Sequence, residues 1–208
     1  MKTETVKLSH FSVKEYLCST QVEEDFRINE RDSHSLIAQI SVAYLLQFKS
    51  FEPLTRTALD SSPLAMYAAE HWIHHAKYSS IDMPDPYPVL KSILRLFTPG
   101  AAPFTNWVRI WDVDAKWMHQ QLSMDSAKVP SPLYYASLAG IAEISQHLLD
   151  GWADTNLQGG TYGTALQAAS CQGYDIIVNL LLEKGAEVMH MEVIMEMHFE
   201  QHHMEVMR

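Results

Sequence analysis

The sequence predicts an all-α protein: a helical domain followed by an array of short paired helices. Two observations carry that expectation. From Ser33 onward apolar residues recur at helical spacing, and one stretch occurs twice at a fixed offset. Ser131-Pro132-Leu133-Tyr134-Tyr135-Ala136-Ser137-Leu138-Ala139-Gly140 is answered 33 positions later by Thr164-Ala165-Leu166-Gln167-Ala168-Ala169-Ser170-Cys171-Gln172-Gly173. The register then holds, with Ile144 falling on Ile177, Leu148-Leu149 on Leu181-Leu182, and Ala153-Asp154 on Ala186-Glu187. A period of this length implies stacked units, each burying its faces against its neighbours.

Taken in order, Val6, Leu8 and His10 alternate with Thr5, Lys7 and Ser9, the period of a half-buried strand. Ser12-Val13-Lys14-Glu15 fits a capping box and predicts a helix start. Gln21 to Ser33 is polar and charged, a connector. From Ser33 to Ser50 a helix is expected, with Ile37, Ile40, Tyr44 and Phe48 on its buried side and Leu36 with Leu45 widening the stripe. Ser62-Pro63 supplies a cap and a first-turn proline for a helix to about Tyr78, buried through Ala65, Leu64, Ala68, Ala69, Trp72, Ile73 and Ala76. Pro84, Pro86 and Pro88 break the chain, Val89, Ile93, Leu96 and Phe97 mark another helix, and Pro99-Gly100 ends it. Trp72, Trp107, Trp111 and Trp117 are expected to be packing residues.

In the first repeat Ser131 caps a helix beginning at Pro132, Leu133 and Ala136 face neighbouring helices, and Gly140 reverses the chain. Ile144, Leu148 and Leu149 form the buried side of the second helix; Gly173, Ile177, Leu181 and Leu182 repeat the design. Both repeats resemble ankyrin repeats, whose unit is a turn followed by two short helices. The departures are Tyr134 and Gln167 where the family carries histidine, and Trp152 where it carries glycine. A non-glycine residue in the left-handed region costs about 1 kcal/mol, so Trp152 either adds binding surface or records relaxed selection.

A second resemblance covers most of what precedes. Val6-Lys7-Leu8-Ser9-His10-Phe11-Ser12-Val13-Lys14-Glu15-Tyr16-Leu17 resembles the end of the winged-helix segment following the nucleotide-binding core of fungal NACHT-type ATPases. Pro63 to Lys77 and Phe104-Thr105-Asn106-Trp107 resemble the linker between ATPase and ankyrin array in the same family. The resemblance implies a winged-helix remnant over 1–20, a NACHT-associated helical domain over 21–128 and two ankyrin repeats over 131–188. It also implies a non-catalytic protein-interaction module, a fragment of a signalling or non-self-recognition protein, with an unidentified protein as partner. Binding through such a stack uses turn tips and the concave face of the first helices, which places contacts at Tyr134, Tyr135, Ser137, Leu138, Leu157, Gln158, Thr161, Tyr162, Gln167 and Cys171. The family's nucleotide-sensing histidine falls on His10. The alternative is a regulatory piece of a nucleotide-dependent switch, docking through His10 and its strand onto a separately encoded ATPase. A buried structural histidine is the plainer role for His10, because no Gly-x-x-x-x-Gly-Lys-Ser/Thr loop occurs in the 208 residues.

Composition narrows the function classes. With 47% apolar residues the chain is rich enough to bury a core. A formal charge of −10 argues against nucleic acid and anionic membrane as partners. Cys18 and Cys171 are too few for a disulfide framework, and neither a signal-peptide core nor an apolar run of about 18 residues occurs, so a cytoplasmic protein is expected. There is no Gly-x-Ser-x-Gly elbow, paired Cys-x-x-Cys or dinucleotide fingerprint, hence no enzyme and no cofactor is expected. Asp112 and Asp114 suit a turn or cap better than acid–base chemistry. His71, His74 and His75 share a helix face but fall short of a closed zinc site, and an exposed polar face is expected for them.

The tail from Met189 is dense in Met-His and Met-Glu pairs, which suggests soft-metal ligands. A frame displaced by one base explains it better. Because methionine has a single codon, each Met-His pair then encodes alanine and each Met-Glu pair glycine. The alanine at 198 and the glycines at 192 and 196 fall 33 places after Ala165, Gly159 and Gly163. We therefore expect 189–208 to be a third repeat translated out of frame, irregular or disordered, with no metal bound. Loss of that repeat is expected to leave Ile177, Leu181 and Leu182 exposed.

Overall fold

Ten α-helices and no strand form among the described residues of this computed structural model, which are 11–79, 87–115 and 120–188. The N-terminal strand with His10, the Ser12 side chain of the capping box, Pro84, Pro86, Trp117 and the tail from Met189 lie outside the described residues. The expected all-α fold is what the described residues adopt.

The first helix, α1 (Phe11–Cys18), starts where Ser12 to Glu15 predicted it. In α2 (Glu30–Leu45) the start moves forward, because Asn29 caps it by accepting from the N–H groups of Arg31 and Asp32. Its buried face also differs from expectation. Ala38, Val42 and Leu45 are fully buried, together with Ser35 and Ser41, whereas Leu36 and Ile40 are 56% and 53% exposed. Small residues let α2 approach α4 closely, and that close approach rotates the larger Leu36 and Ile40 outward. Helix α3 (Arg56–Asp60) is a short capped turn. Helix α4 (Ala65–Ser79) buries Ala65, Ala68, Ala69, Trp72 and Ala76 as predicted, and Leu64 stays exposed in the turn before it.

Helix α5 (Tyr87–Leu96) incorporates Pro88 in its first turn, where the missing N–H has no helical partner to lose. Val89, Ile93, Leu96 and Phe97 are all buried. Helix α6 (Ala102–Ile110) is enclosed on nearly every side: Phe104 to Ile110 are buried without interruption. Its polar residues Thr105, Asn106 and Arg109 are buried with the apolar ones, so polar positions do not mark a solvent face here. Trp107 packs edge-on to Trp72 at 5.4 Å and donates its indole N–H to the Ala69 carbonyl at 3.0 Å.

The repeats follow the predicted plan. In α7 (Pro132–Ala139) the Ser131 hydroxyl accepts from the Tyr134 N–H, and Gly140 ends the helix at φ 69°. Helix α8 (Ala142–Asp150) buries Ile144, Leu148 and Leu149. In α9 (Ala165–Gln172) Thr164 and Gln167 form a reciprocal capping box, and α10 (Asp175–Glu183) completes the second pair. The expected exposure of Ile177 and Leu181 is corrected: they are 1% and 0% exposed because α8 and α9 cover them, while Leu182 and Ile176 face outward. One apolar core runs from Ala38 in α2 to Ala186 after α10, so helical domain and repeats share an interior.

Candidate interaction surface

Two consecutive tyrosines at the start of α7 decide what this surface is made of. Tyr135 packs against Phe104 and Trp107 of α6, with ring centroids 5.8 and 5.6 Å away, and its hydroxyl donates to Asp112 Oδ1 at 2.7 Å. Tyr134 lies against Gly160, whose φ of 73° and missing Cβ let the ring sit directly on the backbone. The Tyr134 hydroxyl accepts from the Tyr162 N–H at 3.2 Å, and Asp114 Oδ2 accepts from the Thr161 N–H. The inter-repeat loop is therefore held from beneath by Tyr134 and from the side by Asp114.

Asp112 and Asp114 form the expected turn, with the Asp114 N–H donating to Asp112 Oδ1 at 2.9 Å. Burial raises the Asp112 carboxyl above its ordinary range, and the nearby Asp114 charge adds to this against the bonds from Tyr135 and Asp114. Burial likewise pushes the Tyr134 and Tyr135 phenols far upward, with the neighbouring carboxylates reinforcing it. Both tyrosines stay protonated and serve as fixed hydrogen-bonding struts.

Four of the expected contact residues lie in the interior. Tyr134 and Tyr135 are each 1% exposed, Ser137 is 0% and Leu138 is 6%, because α6, the 112–114 turn and α9 cover the helix they belong to. Gln167 is half-buried and engaged in capping Thr164 through Oε1, with Nε2 buried. Leu157, Gln158 and Cys171 are exposed, and Thr161 and Tyr162 are half-buried at the loop. His10 lies outside the described residues.

The loop borders a cleft of about 290 Å³ between α4, the 113–114 turn and the C-terminal ends of α7 and α9. Leu138 and Ala139 form its apolar part, Tyr162, Gln172 and Tyr174 its far wall, and Ile73 and Lys77 of α4 the near one. Lys77 Nζ donates to the Tyr174 hydroxyl at 3.2 Å and lies 4.8 Å from that ring's centre. Residue spacing within the repeats gave no sign of Ile73, Lys77 or Tyr174, since the cleft joins elements nearly a hundred residues apart. Trp152, at φ 63° and 94% exposed, projects from the first repeat's final turn in the position where Gly185 (φ 85°) ends the second.

Among the described residues, no three or more His, Cys, Asp or Glu side chains are placed to hold a metal, and no helix is long and apolar enough to cross a membrane. The geometry defines a helical-repeat protein: capped helix pairs, reversed at left-handed glycines, stacked in register. Residues 163–191 match the Ankyrin repeat family. The chain is also similar to the Azaphilone pigments biosynthesis cluster protein L of Monascus ruber, at 34% identity over 197 residues. That alignment covers 88% of this chain and 41% of the relative, so the chain spans about two fifths of the relative's length. No solved structure matches the chain.

Proposed function

We propose that this chain is a non-catalytic protein-interaction module, a piece of an ankyrin-repeat protein of signalling or non-self recognition. The observation supporting it is the contrast within one surface. Loop 157–162 is braced by Tyr134 and Asp114, yet Leu157 and Gln158 remain exposed on it, beside a cleft whose walls come from both the helical domain and the second repeat. A loop fixed in advance loses little conformational entropy on binding, which favours affinity. The contact surface in this reading is Leu157, Gln158, Thr161, Tyr162 and Cys171, with Trp152 beside it. The NACHT association rests on the resemblance of residues 6–17, 63–77 and 104–107, and it makes the parent protein a switch whose array senses the partner.

The test is affinity against a partner identified by crosslinking from the loop. Leu157→Asp with Tyr162→Ala is expected to weaken binding at least tenfold with the melting temperature little changed, whereas Leu36→Asp on the far helix α2 leaves affinity intact. Equal loss from both variants would refute the surface.

A further inference from the structure

We propose that the contact between His34 and His75 is a proton-operated clasp, holding α2 to α4 at neutral pH and opening in mild acid. The two Nδ1 atoms lie 2.8 Å apart, a hydrogen-bond distance that accommodates one proton between them. One ring must donate and the other accept. The opposite nitrogen of His75, Nε2, lies 3.0 Å from the Tyr67 hydroxyl, so both ring nitrogens of this 9%-exposed side chain are engaged within the protein. One ring can take up a proton and still share the contact, but protonating both puts two N–H groups and two positive charges face to face. The interface they close is the most extensive helix pairing among the described elements.

The surroundings amplify the effect. On α4, His74 sits 5.5 Å from His75 and 5.8 Å from His34, ring centre to ring centre, and His71 lies tilted against Tyr67 at 4.8 Å. Tyr78 lies flat against His34 at 4.8 Å. Glu70 approaches His71 Nε2 at 3.8 Å, and Lys77 turns away to Tyr174. Helix α2 contributes His34, preceded in its first turn by Glu30, Arg31 and Asp32. From α6, also packed on α4, Trp107 faces the interface while Arg109 is held by carbonyls elsewhere. Three further imidazoles thus crowd His75, and the expectation of an exposed polar histidine face holds for His74 but fails for His75.

Burial first, then the charges of His34, His74 and His71, lower the His75 pKa from its ordinary 6.5. The sign follows directly. The folded state resists a proton that the unfolded chain accepts, so stability is complete above about 6.5 and is lost as pH falls below it. Carboxylates titrate lower and do not produce this onset.

The experiment is urea unfolding of the whole chain, followed by tryptophan fluorescence between pH 7.5 and 5.0. The unfolding equilibrium constant is expected to rise towards tenfold per pH unit below 6.5, reflecting uptake of one proton. His34→Asn, which keeps a neutral donor and acceptor near the same place, removes that rise, and His71→Gln retains it. An identical rise in His34→Asn, or its loss in His71→Gln alone, overturns the clasp. Should His34→Asn not fold, NMR titration of the wild-type imidazoles decides. His75 remaining neutral at a pH where His74 is half protonated supports the proposal, and His75 titrating at or above 6.5 refutes it.

Discussion

Arg109 Nη1 donates to Asn106 Oδ1 at 3.0 Å, one turn back on the buried helix α6, and through this pair the helix gathers the loops around it. Arg109 also donates to the carbonyls of Met124 (2.8 Å), Phe51 and Glu52 (each 3.2 Å), while the Asn106 amide donates to those of Phe48 and Ser50. Arg109 is 2% exposed and Asn106 0%. Arg109→Met keeps much of the bulk but removes the donor to Asn106 Oδ1, on a fully buried residue, and to three part-buried loop carbonyls; one buried acceptor left unpaired costs about 1–3 kcal/mol. A loss of about 1–3 kcal/mol is expected, read as a lower urea midpoint at unchanged slope. A loss below about 1 kcal/mol would mean the loops find water instead.

Asp112 supplies a prediction with a definite sign. Its folded-state pKa is raised, so the folded protein holds a proton more tightly than the unfolded chain. Its contribution therefore favours folding below the ordinary carboxylate pKa and turns unfavourable as pH rises through the folded value. Asp112→Asn retains the oxygen that accepts from Tyr135 and from the Asp114 N–H. The variant is expected to be as stable as the wild type or more so at pH 7, and to lose that advantage by about pH 4. Thermal melts at both pH values check it.

Gly160 is a position where a single methyl group reports on the loop's brace. At φ 73° any other residue is strained by roughly 1 kcal/mol, and an added Cβ would collide with the Tyr134 ring. The ring cannot yield without breaking the bond between its hydroxyl and the Tyr162 N–H. Gly160→Ala is expected to cost about 2–3 kcal/mol and to speed hydrogen exchange at Tyr162 and Thr161 before other amides. Uniform exchange across the chain would show that the brace is not local.

The helix pairs were legible in the sequence because their signals are local and repeated. Ser131 and Thr164 cap, Gly140 and Gly173 reverse, and Ile144 and Ile177 bury at the same register. What escaped is what depends on neighbours. Tyr134 and Tyr135 occupy helix positions that face outward by family analogy, and only the presence of α6 and the 112–114 turn buries them. In α2 the stripe through Leu36 and Ile40 competes with one through Ala38 and Val42, and periodicity alone cannot choose between two faces of one helix. Helix α6 escaped for another reason: its polar residues Asn106 and Arg109 are buried too, so no solvent-facing stripe marks it. His75 differs from His74 by one position and a hundred degrees around α4, enough to carry it from solvent into the α2 contact.

Trp152 separates stability from binding in one substitution. Its left-handed backbone costs about 1–2 kcal/mol, and at 94% exposure its side chain returns almost nothing through packing. Trp152→Gly relieves that strain at the cost of a more flexible unfolded chain, for a net gain of about 0.5–1 kcal/mol in chemical denaturation. A residue kept at an energetic disadvantage on a protein surface must act outside the fold if it acts at all, and large aromatics dominate interface energetics. If Trp152 belongs to the contact surface, the same variant will be more stable and bind its partner at least tenfold more weakly. A more stable variant with unchanged affinity would confine the interaction to loop 157–162 and the cleft.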